Sequence, residues 1–588
     1  MPHTVSISQM AEYLMRFTRT RSFKLRTGRR DYSIIPGFSL TMGITLTMLS
    51  LFILIPLASI MAFSFELGPK GLIEAVSDEV VINALKTSIM CAALAAAVNC
   101  LFGLIIAWTL VRCDFPGKRI LDGLIELPFA LPTAVAGITL SKMYSESGQP
   151  GSLLAKLGIT VSYTQLGILI AMIFIGIPFV VRTVQPVLSK LNPVYEEAAY
   201  ILGAGRFMTF RKVILPELGP ALLSGFGLAL ARGLGEYGSV IYISGNSARD
   251  HTQVASYVIM QKLNYMDYAG ATAIALLMLI ISFIMLILIN ALSVFQSRRV
   301  SNTYAAAQER SASSGRGARI LIALSATYVL VMLVMPLISV MKNAFSKGML
   351  FYLASLGTDY VRSAAGVTAM ATIITLVINT VFGLAAAWAI TRFSFRGKHL
   401  LGTLIDIPLS ISPVIAGLAY IMTFGRLGWA WPALQAVNDA LGTDIQIVFA
   451  LPGVVLATVF VTFPFVSREL IPVLDSVGTN EEEAAAMMGA GGRRIFRRIT
   501  FPHIKWAMIY GMILCAARAM GEFGAVNALS KTRGETFTLP LEIDALYMDG
   551  GADSVTAAFA VSSILVITAV AVLIIRSISE HMEKRDVS

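Results

Sequence analysis

Apolar runs long enough to cross a bilayer recur along this chain in two sets of six. A spanning helix needs roughly 20 apolar residues, and 56% of the residues are hydrophobic while only 14% are charged. Soluble domains carry about 25% charged residues. The sequence therefore predicts an all-α polytopic membrane protein with about 12 transmembrane helices. The predicted spans are residues 36–64, 87–111, 124–141, 162–181, 218–243 and 270–296, then 320–341, 366–391, 404–424, 447–467, 506–529 and 554–575.

The third and fifth predicted spans of each set are weak because they contain proline, glycine or charged residues. LPFALPTAVAG (127–137) and IPLSISPVIAG (407–417) are the clearest cases. Broken or polar helices are tolerated in a membrane where they line a protein interior or a water-filled cavity. We therefore expect these segments to line the pathway through the protein.

The second set of spans repeats the first in register. IPFVVRTVQPVL (177–188) matches FPFVSRELIPVL (463–474), with an offset of 463 − 177 = 286 residues. Six-helix halves that start on the same side of a membrane are parallel repeats, related by an axis along the membrane normal. We predict a pseudo-dimer with a pore between its halves. The predicted divisions are a basic tail (1–32), a first half (33–297), a flexible tether (298–319), a second half (320–577) and a short tail (578–588).

The charges of the loops predict that both termini are cytoplasmic. Residues 1–30 hold seven Lys and Arg against one acid, whereas residues 65–80 hold four acids and one base, as the positive-inside rule expects. The net charge of +11 is therefore assigned to topology, and no nucleic-acid partner is expected. The four cysteines have no ligand spacing, so no metal site is expected.

One polar segment occurs twice in this apolar chain. EEAAYILGAG (196–205) and EEAAAMMGAG (482–491) are each followed by arginines and then by a proline. We call residues 196–216 and 482–502 the EAA segments. Glu and Ala favour a helix, and the glycines allow a sharp turn before a second short helix. Two copies at equivalent positions favour a docking surface for a second protein over an ordinary amphipathic loop.

The pattern E-A-A, three residues, G and a basic stretch resembles the coupling-loop motif of permease subunits in bacterial ATP-binding-cassette importers. In that family each loop places a short helix in a cleft on a nucleotide-binding subunit. Phe210 and Phe496 are expected to be apolar knobs beside the basic residues. The resemblance implies a type I importer permease fold, with ATPase coupling by Glu196, Glu197, Ala198, Gly203, Glu482, Glu483, Ala484 and Gly489.

The sequence contains no nucleotide-binding motif of the form G-x-x-x-x-G-K-[ST], because FPGKR and FRGKH lack the first glycine and the hydroxyl residue. The chain is therefore predicted to be a transport subunit and not an enzyme, with no catalytic residues and no cofactor of its own. The resemblance implies two copies of a separate cytoplasmic ATPase subunit, which use ATP and Mg²⁺. It also implies a multi-pass location in the bacterial inner membrane.

Longer segments narrow the resemblance to one kind of importer. ELPFALPTAVAGITL (126–140) resembles the T-type permease subunit of the sulfate/thiosulfate importer, and RGETFTLPLEIDALY (533–547) resembles its W-type partner. Those subunits are normally separate, so this chain resembles their fusion. The resemblance implies import of sulfate or thiosulfate with an extracytoplasmic sulfate-binding protein. Molybdate permeases share a segment of the type found at 517–525, so molybdate, tungstate or a phosphonate stays open as an alternative cargo.

Two charged pairs are expected inside the bundle. Arg232 and Glu236 are four residues apart, as are Arg518 and Glu522, a spacing that shares one helix face. A charge near the bilayer centre costs roughly 2.5–3.5 kcal/mol, so such residues usually face the bundle interior. Either the arginines flank the anion pathway, since Arg suits tetrahedral oxyanions, or the pairs neutralise themselves and brace the fifth helix. The second interpretation is favoured because each Arg has an acid within reach.

Other polar residues in the predicted spans have simpler expected roles. Arg182 and Arg468, near the inner end of the fourth helix, are expected to snorkel to the cytoplasmic interface. Asn99 and Asn379 are expected to hydrogen-bond to a neighbouring helix. Hydroxyl groups on the broken third helices are expected to contact the transported anion, namely those of Thr133, Ser410 and Ser412.

Two other classes of protein fit the sequence less well. An ion-driven secondary transporter with two six-helix halves has no use for two matched EAA segments. A membrane enzyme lacks support, since only five histidines occur and none forms a ligand cluster. The sequence therefore favours an ATP-driven importer permease that works by alternating access.

Overall fold

Helices of membrane-spanning length make up most of the chain. The computed structural model describes residue 35, residues 37–297 and residues 315–587. Within these ranges the regular secondary structure is helical, and no β-strand occurs. The predicted basic tail (1–32) and residues 298–314 of the predicted tether lie outside the described residues.

The helices form two equivalent sets, and we number them first to sixth within each half. The third helix of each half is a bent pair, with bends of 108° and 103°. If each bent pair counts as one span, the described residues contain twelve candidate spans, which confirms the predicted architecture. In order, the spans are Phe38–Glu66, Glu79–Arg112, Lys118–Ala130 with Thr133–Tyr144, Gln165–Lys190, Arg206–Leu234 and Tyr268–Ile289, then Arg316–Ala344, Asp359–Arg392, Lys398–Ser410 with Pro413–Phe424, Leu451–Val477, Gly492–Met520 and Ala552–Ile575.

Shorter helices connect these spans. They include the first helix of each EAA segment and the helices between the fifth and sixth spans. Their bounds are Gly68–Ser77, Gly151–Lys156, Pro193–Ile201, Val240–Ile243, Ala255–Asn264, Met349–Leu356, Trp431–Leu441, Asn480–Met487, Gly524–Leu529 and Leu539–Met548.

The bends in the third helices have a local cause. Leu131 precedes Pro132 and Ser412 precedes Pro413, and their ψ angles are 128° and 132°. A residue before proline is pushed out of the α region by a clash with the proline ring. The helix therefore breaks at the same place in each half, as the proline content predicted.

The fifth helices end earlier than predicted. They stop at Leu234 and Met520, whereas the sequence predicted helix to residues 243 and 529. Gly235 and Gly521 follow directly, and glycine is a weak helix former that favours a stop. A turn then leads into a separate short helix in each half. This correction matters because the turns contain Glu236 and other polar residues.

Four π-helical turns lie at matched positions of the two halves. Ser50–Leu54 corresponds to Leu330–Val334 in the first helices, and Phe210–Ile214 corresponds to Phe496–Thr500 at the start of the fifth. Each turn is followed after one residue by a proline. Proline lacks an amide donor and crowds the preceding turn, so the helix widens locally at these four places.

Each half packs its first helix against the other half. Tyr420 in the second half donates a hydrogen bond to the carbonyl of Phe52, at 2.8 Å, and Phe38 makes an edge-to-face contact with Phe393, at 5.0 Å. The reciprocal contact is made by the first helix of the second half, where the hydroxyls of Thr109 and Ser325 are 3.0 Å apart. The two halves are therefore interlocked.

The predicted interhelical hydrogen bond of asparagine forms in one half only. Asn379 donates to the hydroxyl of Thr462 at 2.7 Å. Asn99 has no hydrogen-bond partner among the described residues, so that prediction is wrong. The residue that corresponds to Thr462 is Gly176 (462 − 286), and the partner hydroxyl is therefore missing.

Candidate functional site

Each EAA segment folds as a short helix, a glycine turn and a second helix. Gly203 and Gly489 have φ angles of +81° and +82°, a left-handed conformation that glycine adopts without steric cost. Gly205 and Gly491 instead have φ angles of −68° and −69° and lie at the start of the next helix. Only the first glycine of each pair is needed for the turn.

An ion pair, partly buried in the first half and buried in the second, fixes each EAA segment to the end of a second helix. In the first half, Nη2 of Arg112 is 2.5 Å from Oε1 of Glu196. In the second half, Nε of Arg392 is 2.6 Å from Oε2 of Glu482, and Thr500 donates to the other carboxylate oxygen at 2.6 Å. Each EAA segment is thus attached directly to a long helix. These arginines are 84 and 90 residues from their partners, so no local sequence pattern indicated the pairs.

A tryptophan beside each arginine completes the attachment. Phe210 packs edge-to-face on Trp108 with ring centroids 5.5 Å apart, and Phe496 packs on Trp388 at 5.7 Å. The guanidinium groups of the two anchoring arginines lie over the same tryptophan rings, at 5.3 and 5.9 Å. Phe210 and Phe496 are partly buried, so the expectation that they are exposed knobs is wrong. They face the membrane domain because they occupy the π-helical turns.

The exposed apolar residues of the EAA segments lie at the glycine turn. Ile201 and Leu202 are each 86% exposed, and Met487 and Met488 are 73% and 82% exposed. Large apolar side chains exposed together on a surface mark an interaction site. Each EAA segment thus presents two apolar side chains at its tip.

The remaining residues of the motif divide between the exposed face and the helix start. Glu197, Ala198 and Ala484 are exposed. Glu483 accepts a hydrogen bond from the hydroxyl of Thr479, the residue before the helix, at 2.7 Å. The exposed alanines leave room for the backbone of another chain to approach.

The central charged pairs form contacts as expected, but not within one helix. Nη2 of Arg232 is 2.7 Å from Oε2 of Glu236, and Nη2 of Arg518 is 2.6 Å from Oε2 of Glu522. The glutamates lie beyond the ends of the fifth helices, so the prediction that each pair shares one face of a single helix is wrong. Arg518 lies within electrostatic range of both Arg232 and Glu236. The two pairs therefore lie near each other where the halves meet.

The second carboxylate oxygen of each glutamate accepts a hydrogen bond at the start of the next short helix. Oε1 of Glu236 accepts from the amide of Ser239 at 2.9 Å, and Oε1 of Glu522 accepts from the amide of Ala525 at 3.0 Å. A carboxylate at a helix start satisfies otherwise free amides. Each glutamate thus links an arginine of the fifth helix to the turn that follows it.

The two turns meet at the centre of the molecule. Tyr237 stacks on Phe523 with ring centroids 5.9 Å apart and an interplanar angle of 9°; these residues are equivalent (523 − 286 = 237). A side chain at Gly235 would come within 3.0 Å of the backbone of Ser412, and one at Gly521 within 3.1 Å of Pro132. The turn of each half is therefore pressed against the bend in the third helix of the other half.

The predicted hydroxyl residues lie close to these bends, but in different surroundings. Thr133 is 8% exposed and packs against Gly238. The hydroxyl of Ser412 is 3.0 Å from that of Ser256. Ser410 donates to the carbonyl of Ile407 at 2.9 Å and lines a cavity. Ser410 is the member of this set that a molecule in the cavity would meet.

The fourth-helix arginines, predicted to snorkel to the cytoplasmic interface, are both held by carboxylates of the third helices. Arg182 is 2.8 Å from Asp122 and 2.7 Å from Glu126. Arg468 is 2.8 Å from Asp406. All three acids belong to the bent third helices, about 60 positions away in the sequence, so spacing alone did not reveal the pairs.

Two cavities open between the halves beside these arginines. One has a volume of 580 Å³ and is lined by Arg468, Asp406, Ser410 and Ser224; the other has a volume of 480 Å³ and is lined by Arg182 and Arg468 among others. The first also contacts Lys398, at the start of the third helix and close in sequence to the end of the second helix that anchors the EAA segment. The cavities therefore lie on the side of the bundle that carries the EAA segments, which we call the EAA side. Among the described residues no group of three or more His, Cys, Asp or Glu could hold a metal ion.

Comparison with known proteins agrees with this architecture. The family described as "Binding-protein-dependent transport system inner membrane component" matches residues 99–302 and 379–585. The sulfate transport system permease protein CysT of Escherichia coli is 47% identical over 267 residues, which are 45% of this chain and 96% of the relative. The corresponding CysW of Synechococcus elongatus is 46% identical over 228 residues, which are 39% of this chain and 78% of the relative.

Among solved structures, a bacterial alginate ABC transporter in complex with its periplasmic protein matches 45% of this chain, with a TM-score of 0.37 and 17% identity. The family match covers both halves, and CysT and CysW relatives each match a little under half of the chain. The chain belongs to the binding-protein-dependent transport system inner membrane components, and it joins a half similar to CysT to a half similar to CysW.

Proposed function

We propose that this chain is the transmembrane subunit of an ATP-driven importer that moves sulfate or thiosulfate into the cytoplasm by alternating access. The observation that carries the proposal is the pair of EAA segments. Each is anchored to a second helix by an arginine–glutamate pair and presents exposed apolar residues at its tip. Relatives at 43–47% identity are named sulfate transport permeases, which supports this choice of cargo.

The proposed partners bind at opposite ends of the helix bundle. Two copies of a cytoplasmic ATPase subunit bind the EAA segments through Glu196, Glu197, Ala198 and Gly203 and their equivalents Glu482, Glu483, Ala484 and Gly489. ATP and Mg²⁺ are used on those subunits and not on this chain. An extracytoplasmic sulfate-binding protein delivers the anion to the opposite side. The chain lies in the bacterial inner membrane with both termini in the cytoplasm.

The proposed resting state is open to the cytoplasm. The cavities lie on the EAA side, while the stacked rings of Tyr237 and Phe523 close the centre. When ATP draws the ATPase subunits together, the EAA segments move, and Arg112 and Arg392 carry that movement into the second helices. The halves then separate at the stacked rings and admit the anion, and hydrolysis restores the resting state.

The proposed anion path runs along the axis between the halves. The side chains of Arg232 and Arg518 are 13% and 12% exposed, and each is paired with a glutamate whose side chain is 1% exposed. A paired arginine attracts a dianion less strongly than a free one, so the path holds its cargo weakly and can release it. The polar groups proposed to contact the anion or to brace the path are Thr133, Arg232, Glu236, Ser410, Ser412, Arg518 and Glu522.

The test is uptake of radiolabelled sulfate by cells that lack their own sulfate importers. The cells receive this chain together with the ATPase and binding protein encoded beside it. We expect uptake that depends on ATP and is blocked by thiosulfate but only weakly by molybdate. Strong competition by molybdate, tungstate or a phosphonate would move the cargo to that anion. Uptake that persists without the ATPase subunit would favour an ion-driven secondary transporter.

A further inference from the structure

The two fourth-helix arginines occupy equivalent positions but are held very differently. Arg182 and Arg468 correspond (468 − 286 = 182), and so do their carboxylate partners Glu126 and Asp406 (406 − 280 = 126). Side-chain exposure is 27% for Arg182 and 38% for Arg468, and it is 4% for Glu126 but 40% for Asp406. The second pair is therefore much more open to the cavity.

Arg182 has a partner for each of its nitrogen atoms. Its Nη1 donates to Asp122 and Gln185 at 2.8 Å, its Nη2 donates to the carbonyl of Asp122 at 2.9 Å, and its Nε is 2.7 Å from Glu126. Tyr510, from the other half, donates to Glu126 at 3.0 Å. Each of its three guanidinium nitrogen atoms therefore lies against an oxygen atom of the protein.

Arg468 keeps one free nitrogen. Its Nε and Nη2 donate to Asp406 at 2.8 and 3.3 Å, and no described residue accepts from Nη1. The surroundings of the two arginines differ by three replacements, of which the first two remove groups that accept from Arg182 and the third removes the hydroxyl that donates to Glu126. Asp122, Gln185 and Tyr510 surround the Arg182–Glu126 pair. The equivalent positions around Arg468 and Asp406 are Gly402 (122 + 280), Ile471 (185 + 286) and Ser224 (510 − 286). All three replacements line the 580 Å³ cavity together with Arg468.

We propose that Arg468 is a weak binding site for the transported tetrahedral oxyanion on its way out to the EAA side, whereas Arg182 only holds the bundle together. This inference rests on the proposed function. A free guanidinium edge is suited to an oxyanion, and the hydroxyl of Ser410 lies on the same cavity wall. A Cβ atom at Gly402 would meet nothing within 4 Å, so the cavity wall has open space at this point.

The charges around the cavity explain why such a site releases its ligand. Arg468 and Lys398 are balanced by Asp406 and Asp475, and His399 is also present. Glu469 lies beside Arg468 in the second cavity. A dianion therefore gains hydrogen bonds at Arg468 but little net attraction. Binding sites on a transport path need to be weak enough for the ligand to leave.

The test is equilibrium binding of radiolabelled sulfate to the complete complex of permease and ATPase, without nucleotide or binding protein. Nanodiscs of phosphatidylcholine exclude anionic lipid headgroups as the ligand. We expect Arg468→Gln to raise the dissociation constant by roughly tenfold to a hundredfold, and Arg468→Lys to restore part of the binding. Gly402→Asp is expected to weaken binding similarly, because the new carboxylate takes the place that Asp122 has beside Arg182.

The matched control is Arg182→Gln, which should leave sulfate binding within about twofold of the wild type, since that arginine has no free nitrogen. Gly402→Asp leaves Arg468 in place, so it separates an anion contact from a purely structural role. Unchanged binding in both Arg468→Gln and Gly402→Asp, with wild-type sulfate uptake intact, would overturn this inference alone. A wild-type complex that takes up no sulfate would instead overturn the proposed function.

Discussion

The two EAA segments are alike where they join the membrane domain and different on the surface that faces away from it. Both have the arginine–glutamate pair, the tryptophan–phenylalanine contact and a left-handed glycine. At two equivalent exposed positions, however, the first segment has Phe207 and Met208 while the second has Arg493 and Arg494. The attachment to the helices is therefore symmetric, whereas the surface offered to a partner is not.

This difference separates the contacts that the proposed mechanism requires in both halves from those that it does not. In the proposed mechanism, force from the ATPase subunits enters both halves, and the repeated internal contacts are consistent with this. The outer surfaces can differ, because a partner can be held by apolar contact at one segment and by charge at the other. We expect two copies of one ATPase subunit to bind the two segments with unequal dependence on salt.

The largest expected effect comes from the repeated glycine. Gly203→Pro combined with Gly489→Pro should abolish uptake while ATP hydrolysis continues, because proline fixes φ near −65° and both sites need a φ of about +80°. Uptake and ATPase activity in proteoliposomes measure this. Gly205→Ala combined with Gly491→Ala is the control, since those glycines have negative φ angles. Normal uptake in the proline variant would contradict the role of the EAA segments.

The ion-pair anchors should differ in strength between the halves. The Arg392–Glu482 side chains are 1% and 3% exposed, whereas those of Arg112 and Glu196 are 11% and 21% exposed. Arg392→Ala should cost about 3–5 kcal/mol, because it leaves a buried carboxylate unpaired. Arg112→Ala should cost about 1–3 kcal/mol. Thermal unfolding of the purified complex compares the two, and equal losses would contradict the assigned asymmetry.

Partner binding at the exposed surfaces of the two EAA segments should respond differently to ionic strength. Arg493→Phe combined with Arg494→Met copies the first segment, and it should make ATPase activity several-fold less sensitive to salt between roughly 0.1 and 0.5 M, where exposed charges become screened. Phe207→Ala combined with Met208→Ala should weaken the complex equally at both salt concentrations. If both variants keep the salt sensitivity of the wild type, the difference between the segments has no effect on partner binding.

The smallest expected effect is at the central ring pair. Tyr237→Phe places phenylalanine at both positions of the pair. It removes only the hydrogen bond that the side-chain amide of Asn527 donates to the Tyr237 hydroxyl, at 3.3 Å. A neutral hydrogen bond is worth about 0.5–1.5 kcal/mol, so ATPase activity without binding protein should rise by no more than several-fold. Tyr237→Ala should raise it further, because the stacking is lost as well. A larger effect from Tyr237→Phe than from Tyr237→Ala would contradict closure by the rings.

Much of this architecture could be predicted from the sequence, because it rests on local signals. Apolar runs, an in-register repeat and X-Pro steps gave the twelve spans and the two bends. The fifth helices end at the residues before Gly235 and Gly521, and this places Glu236 and Glu522 in turns. A hydropathy pattern does not resolve such a stop within an apolar run.

The contacts that the sequence did not predict are long-range ones. The acids that pair with these arginines lie 56 (182 − 126) to 90 positions away in the sequence, and only the packed bundle brings them together; the arginines are Arg112, Arg392, Arg182 and Arg468. The interior position of Phe210 depends on a π-helical turn that no simple periodicity indicates. The difference between Arg182 and Arg468 becomes visible only when the neighbours of each are compared in three dimensions.

In the proposed mechanism, movement of the EAA segments separates the stacked rings of Tyr237 and Phe523. The most direct test replaces Tyr237 and Phe523 by cysteine, in a chain without its four native cysteines, and measures cross-linking by a short bifunctional thiol reagent. We predict efficient cross-linking without nucleotide and its loss when ATP and loaded binding protein are added. In the Gly203→Pro, Gly489→Pro background the cross-link should persist under both conditions. Cross-linking that does not change with nucleotide in the otherwise unmodified complex would contradict the account.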